Sequence, residues 1–83
     1  MTASKEDIKN WLKIGLKNKA THVIIAVDTY DYTNYPVYVE NNKSVREEFK
    51  RIINSNLQGV NEVYNLSMDL NKQLEEKHSM HMG

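Results

Sequence analysis

The chain has 83 residues, which is room for one small domain, and it contains no cysteine. Disulfides, cysteine-based zinc sites and thiol nucleophiles are therefore excluded. The 11 basic and 11 acidic residues cancel, so the chain lacks the positive charge typical of proteins that bind duplex nucleic acid. The longest apolar run, residues 23–27, is far shorter than a membrane span, and the N-terminal segment lacks the apolar core of a signal peptide. We therefore expect a soluble intracellular protein without duplex nucleic acid or membrane partners.

The first predicted element is a helix over residues 5–18. Ser4 stands three residues before Asp7, which is a variant of the capping box that begins many helices. Apolar residues then recur at i, i+3, i+4 and i+8, which places them on one helix face, with lysines and Asn10 opposite. The residues of this face are Ile8, Trp11, Leu12 and Leu16.

Two strands are predicted next, over residues 21–27 and 36–39, with a loop over residues 28–35 between them. The first strand is rich in β-branched residues and apolar on both faces, so it needs cover on both faces. The second begins at Pro36, which lacks an amide proton and therefore suits a strand's first residue or an edge position. The connecting loop is too long for a two-residue hairpin turn.

Two further helices are predicted, over residues 45–54 and 57–77, followed by a frayed tail over residues 78–83. Ser44 and Glu47 form the S-x-x-E pattern of a capping box at the start of the first of them. In a helix over residues 57–77, the apolar side chains cover about 200° of the circumference, which is more than a small core requires.

We therefore expect a second contact surface on this helix, and self-association of a domain too small to be very stable alone. The alternative is that the other elements of the domain wrap this helix. The predicted fold class is α+β, a single domain over residues 1–83 in the order α-β-β-α-α. It has a two-stranded sheet packed by helices and a long C-terminal helix used for oligomerisation.

The most unusual segment covers residues 28–38, because it holds four of the chain's five tyrosines in a stretch of nine residues. A tyrosine ring offers a flat apolar face and a hydroxyl, which suits a nucleobase or another planar group. We name Tyr30, Asp31, Tyr32 and Tyr35 as candidate ligand-binding residues. The alternative is that the tyrosines cover the sheet, which fits Tyr38 best.

Other polar residues have both a functional and a structural interpretation. Lys43 and Arg46 lie at the start of the second helix, where free amides and a guanidinium favour an anion; the alternative is an ordinary capped surface helix. Asp28 and Asp31 could hold a metal or act as an acid/base pair, but capping of a turn is favoured. His22 is interpreted as structural, since no nucleophile can be named beside it. We predict no catalytic residue, no metal and no cofactor, and the pair His78 and His81 is considered incidental.

Several stretches resemble a family of small proteins encoded by tailed bacteriophages. They are Ala20-Thr21-His22-Val23-Ile24, Val27-Asp28-Thr29, Asp31-Tyr32, Tyr35-Pro36-Val37-Tyr38-Val39 and the later segment 63–70. The chain departs from the family's pattern at Ala26, where members often have cysteine, and at Thr33-Asn34, where their loop is more acidic. The resemblance implies a phage-encoded accessory protein that acts in the bacterial host cytoplasm, and it carries no established activity.

Three functions are compatible with these features. The first is a non-enzymatic homo-oligomeric binding protein for a small nucleotide-like ligand, which in a phage would sequester a host immune signal. The alternative is a protein–protein interaction module that inhibits a host enzyme through the apolar face of the predicted third helix. The third is a small hydrolase that uses His22, Asp28 and Asp31. We expect the first, with other copies of the chain and the ligand as partners.

Overall fold

The computed structural model of the chain describes residues 3–76 and 78–82. Its elements follow in the order α1 (Lys5–Lys17), β1 (His22–Asp28), β2 (Asn34–Val39), α2 (Val45–Ile53), β3 (Gln58–Asn65) and α3 (Leu70–Glu75). The strands form one antiparallel sheet in the order β2-β1-β3. The fold class is α+β, but the predicted element order and the predicted two-stranded sheet are wrong.

Helices cover both faces of the sheet. Val23 and Ile25 of the central strand pack on the side of α1 and α3. Ile24 and Ala26 pack on the side of α2. All four side chains are completely buried, which confirms that the first predicted strand needs cover on both faces.

Local hydrogen bonds fix both ends of α1. The Ser4 hydroxyl accepts from the Asp7 amide at 3.1 Å and the Asp7 carboxylate accepts from the Ser4 amide at 3.1 Å, so the predicted capping box is confirmed. At the other end the Ala20 amide donates to the Gly15 carbonyl at 2.9 Å. Lys19, with φ of 60°, occupies the left-handed position that glycine usually takes after a helix. This tight stop directs the chain straight into β1.

The outer edge of β2 contains Pro36. In the antiparallel pair of β1 and β2, residues whose backbone groups bond to the other strand alternate with residues whose groups face away from it. The hydrogen bond from the Asp28 amide to the Thr33 carbonyl shows which residues belong to each set. By that alternation the nitrogen of Pro36, which has no proton, faces away from β1. The predicted edge position of Pro36 is confirmed, and the proline discourages pairing with a further strand.

The outer edge of β3 is covered by the chain itself. The Val63 amide donates to the Ser79 carbonyl at 2.7 Å, and the His81 amide donates to the Val63 carbonyl at 3.0 Å. The side-chain amide of Gln73 pairs with the backbone of Asn65, through contacts of 2.8 and 2.9 Å. The predicted frayed tail is therefore wrong for residues 79–81, while Gly83 lies outside the described residues.

The predicted long helix over residues 57–77 is wrong. Strand β3 occupies its first half, a turn follows, and only Leu70–Glu75 is helical. Asp69 caps this short helix by accepting from the amide of Asn71 at 3.0 Å. Lys77, the last residue of the predicted helix, lies outside the described residues.

The reason for this error is that both faces of β3 are covered. Val60 and Val63 pack on the side of α2, whereas Tyr64 and the following Leu66 pack on the side of α1 and α3. A strand covered on both faces loses its polar–apolar alternation, so its apolar residues imitate a broad helical arc. The valines and Gly59 disfavour helix, and they were the signal for a strand. The arc that suggested a second contact surface does not exist, and self-association remains a prediction from size alone.

Candidate functional site

The tyrosine loop, residues 29–33 between β1 and β2, presents two exposed aromatic side chains. Tyr30 is 84% exposed and Tyr32 is 69% exposed. Tyr35 and Tyr38 lie instead on β2, half-buried on opposite faces of the sheet. Covering the sheet thus accounts for Tyr35 and Tyr38 but not for Tyr30 and Tyr32, whose rings lie mostly in solvent.

The backbone of the tyrosine loop is fixed by its aspartates. The Asp28 carboxylate accepts from the Tyr30 amide at 2.8 Å, and the Asp31 carboxylate accepts from the Thr33 amide at 3.0 Å. Both contacts are Asx turns, as the turn-capping interpretation predicts. The hydroxyl and amide of Thr33 also hold the pKa of Asp31 below its ordinary value. Within residues 3–76 and 78–82, no group of three acidic or histidine side chains is placed to hold a metal.

The charge of Arg51 reaches the tyrosine segment at Tyr35. Burial raises the pKa of Tyr35, the charge of Asp28 raises it further, and the charge of Arg51 acts in the opposite direction. Arg51 lies in the last turn of α2, is 63% exposed and pairs with Glu48 at 2.7 Å. From the sequence we named Arg46, at the start of α2, instead of Arg51, at its end. Which end of α2 lies near the tyrosines depends on the direction in which the helix crosses the sheet, and the sequence alone does not show that direction.

Two aliphatic side chains join the tyrosines at this end of the sheet. The Thr29 amide donates to the Leu57 carbonyl at 3.0 Å, which ties the loop to the connection between α2 and β3. Leu57 is 58% exposed and Ile53, at the end of α2, is 48% exposed. We call Tyr30, Tyr32, Ile53 and Leu57 the aromatic end. It has apolar rings and side chains for stacking, and it adjoins Tyr35, whose pKa burial raises and the charge of Arg51 lowers.

The second predicted group, Lys43 and Arg46, lies at the opposite end of the sheet. Strand β2 leads away from the tyrosine loop, and both cations are exposed where α2 begins. The Ser44 hydroxyl accepts from the Glu47 amide at 3.4 Å, which caps the helix. A six-residue strand spans about 20 Å. One chain therefore does not bring these cations to a small ligand held by Tyr30 and Tyr32.

The residues named for a hydrolase are not assembled either. His22 and Asp28 are the first and last residues of the seven-residue strand β1, which spans about 20 Å. Nδ1 of His22 lies 3.0 Å from the hydroxyl of Thr21, which agrees with the interpretation of His22 as a structural histidine. No proton transfer can link His22 directly with either aspartate at the other end.

The C-terminal histidines have different surroundings. Nε2 of His81 lies 2.7 Å from the Glu76 carboxylate, and His78 is exposed. The contact of His81 with Glu76 holds the segment that covers β3. These contacts do not bring His78 and His81 together as one site.

No described helix is long and apolar enough to cross a membrane. Comparisons of the chain with protein-family models, with curated proteins and with solved structures give no match. The resemblance to the phage family therefore stays a prediction that rests on the quoted residues.

Proposed function

We propose that the chain is a non-enzymatic binding protein whose recognition element is the aromatic end. The observation that carries this proposal is the exposure of Tyr30 and Tyr32 on a loop whose backbone is already fixed by two Asx turns. A fixed loop loses little conformational entropy on binding, and loops on a rigid scaffold commonly carry recognition residues. The ligand class that suits these rings is planar, such as the base of a small nucleotide.

A nucleotide also needs a partner for its phosphate. Lys43 and Arg46 fill that role only if a second copy of the chain brings them to the aromatic end, because about 20 Å of sheet separates the two groups in one chain. Arg51 of the same chain is already paired with Glu48 at 2.7 Å. The proposed binding form is therefore a homo-oligomer in which Lys43 and Arg46 of a second copy complete the site. In a phage, such a protein would sequester a nucleotide signal in the host cytoplasm.

Calorimetric titration with cyclic nucleotides, cyclic dinucleotides and ADP-ribose tests the ligand class. Stacking contributes on the order of 1–3 kcal/mol per base, so the double variant Tyr30→Ala/Tyr32→Ala should bind at least about tenfold more weakly. The matched control, Tyr30→Phe/Tyr32→Phe, keeps both rings and should bind nearly as tightly as the unchanged chain. Absence of binding across the panel would refute the nucleotide-like ligand.

Mixing two defective variants tests the composite site. Tyr30→Ala/Tyr32→Ala and Lys43→Ala/Arg46→Ala should each lose binding, since each lacks one half of the site. After co-refolding of an equal mixture, about a quarter of the sites should combine two intact halves and bind again. Failure of the mixture to recover, with each variant folded, would contradict a site shared between copies.

The alternative of an inhibitory protein–protein module loses its original basis. It rested on the apolar face of a long third helix, and the residues of that helix form β3 and the short α3.

A further inference from the structure

An apolar groove runs between α1 and α3 on the outer side of the domain. Its floor is formed by side chains of both helices, Leu12, Leu16, Leu70 and Leu74. Leu12 and Leu74 are 2% and 7% exposed, whereas Leu16 is 50% exposed. The groove continues toward the start of α1, where Lys5, Asn71 and Glu75 line it. Leu16 therefore contributes apolar surface that this chain leaves half uncovered.

Lysines line the α1 side of this groove. Lys5, Lys9 and Lys13 recur every four residues, so they form one stripe along the helix. The ion pairs formed by residues 3–76 and 78–82 are Arg51–Glu48 and His81–Glu76, and neither involves this stripe. The ammonium of Lys5 instead donates to the Leu74 carbonyl and closes one end of the groove.

The α3 side of the groove differs in charge. It presents Asn71, which is neutral, and the carboxylate of Glu75 near the Lys5 end. Next to Lys9 and Lys13 the α3 side is apolar, with Leu70 and Leu74. The groove thus has a cationic side, an apolar floor and one carboxylate near its closed end.

We infer that this groove docks an acidic amphipathic helix of a partner protein. From the helical rise per residue, the α1 side of the groove, from Lys5 to Leu16, is about 17 Å long, or about three helical turns, and the six-residue α3 flanks about 9 Å of it. Over that length, apolar anchors at i, i+4 and i+7 fit the leucine floor, and acidic residues beside them face Lys9 and Lys13.

Another copy of this chain is a poor occupant. Helix α1 is itself rich in lysine, and α3 has only six residues. In α2 the acidic residues Glu47 and Glu48 are followed by Lys50 and Arg51, and the apolar residue Ile52 is completely buried. A flat anionic bilayer is also a poor occupant, because its surface does not follow a groove between two helices.

The test uses the full chain and a labelled helical peptide of about three turns, with leucines at i, i+4 and i+7 and glutamates elsewhere. Fluorescence anisotropy should show saturable binding, and a peptide with its leucines scrambled should not bind. The variant Lys9→Glu/Lys13→Glu should bind at least about tenfold more weakly, because two attractive contacts become repulsive. Circular dichroism of each variant verifies that the exposed substitutions leave the fold intact.

Two controls make the result specific to the groove. Lys19→Glu/Lys50→Glu changes the net charge equally at two exposed lysines outside the groove lining and should leave peptide binding within about twofold. A peptide with lysines in place of its glutamates should bind Lys9→Glu/Lys13→Glu better than it binds the unchanged chain. Equal weakening by both double variants, or no binding of the acidic peptide up to about 1 mM, overturns the inference. Two other outcomes assign the groove to another occupant and also overturn the inference. One is groove-dependent binding of anionic vesicles without binding of the peptide. The other is self-association of the chain that Lys9→Glu/Lys13→Glu abolishes.

Discussion

Gly15 allows α1 to approach the sheet closely, and its replacement by alanine is expected to destabilise the domain. A Cβ atom at this position would lie 2.9 Å from Cγ2 of Val23 and 3.0 Å from Cδ1 of Leu66. Val23 is completely buried in the central strand, and its branched side chain has little freedom to rotate away. The helix must therefore withdraw from the sheet to relieve the contact.

Two opposing effects decide the magnitude. Alanine stabilises a helix relative to glycine by about 1 kcal/mol. Restoring an ordinary contact of 3.4 Å requires a shift of about half an ångström, which already forfeits about a quarter of the dispersion attraction across a packed interface. Overpacking of this kind costs about 1–3 kcal/mol. We expect a net loss of about 1 kcal/mol, or about 4–8 °C in Tm for a domain of this size.

Urea unfolding followed by the fluorescence of Trp11, which packs against the core, measures this change. The matched control is Asn10→Ala on the exposed face of the same helix, which should stabilise by about 0.5 kcal/mol because only helix propensity changes. If Gly15→Ala stabilises the domain as much as the control does, the argument from close approach is refuted.

Three further predictions concern single positions. Lys19→Gly should raise the free energy of unfolding by about 1 kcal/mol in urea titrations, since glycine adopts the left-handed conformation at φ 60° without strain; an unchanged midpoint would contradict this. Burial, and after it the charge of Glu62, raises the pKa of Tyr64 above its ordinary value of 10.0. The stabilising contribution of Tyr64 is therefore complete below pH 10. Above pH 10 the free energy of unfolding should fall by up to about 1.4 kcal/mol per pH unit. Tyr64→Phe should remove that part of the alkaline loss, and identical pH profiles would refute it. Tyr30→Ala and Tyr32→Ala should each change the free energy of unfolding by less than about 0.5 kcal/mol, because both rings are exposed. A larger loss of stability in thermal melts would show that these rings are structural.

Features that depend on neighbouring residues were predictable from the sequence. Ser4 and Asp7 form the predicted capping box of α1, and of the capping box predicted for α2 the structure records the bond from the Glu47 amide to the Ser44 hydroxyl. Pro36 lies on a sheet edge for lack of an amide proton. The observed helix α1 ends one residue before its predicted end, and the left-handed residue that follows it is Lys19 rather than the glycine that usually marks such an end in a sequence.

The candidate site was only partly predictable. The Asx turns of Asp28 and Asp31 follow from residues two positions apart. That Arg46 lies about 20 Å from the tyrosine loop, and that Arg51 lies near it, depends instead on the direction in which α2 crosses the sheet. No local pattern contains that direction.

By itself, the sequence determined the helix caps, the central strand, the edge proline and the tight turns, because each depends on hydrogen bonds or steric limits within a few residues. Only the tertiary structure decided that residues 58–65 form a strand, that the C-terminal segment covers its edge, and that the two candidate groups lie at opposite ends. The physical reason is that strand pairing joins residues far apart in the chain. A strand covered by helices on both faces lacks the alternation that would identify it, and its partners become apparent only when the sheet is assembled.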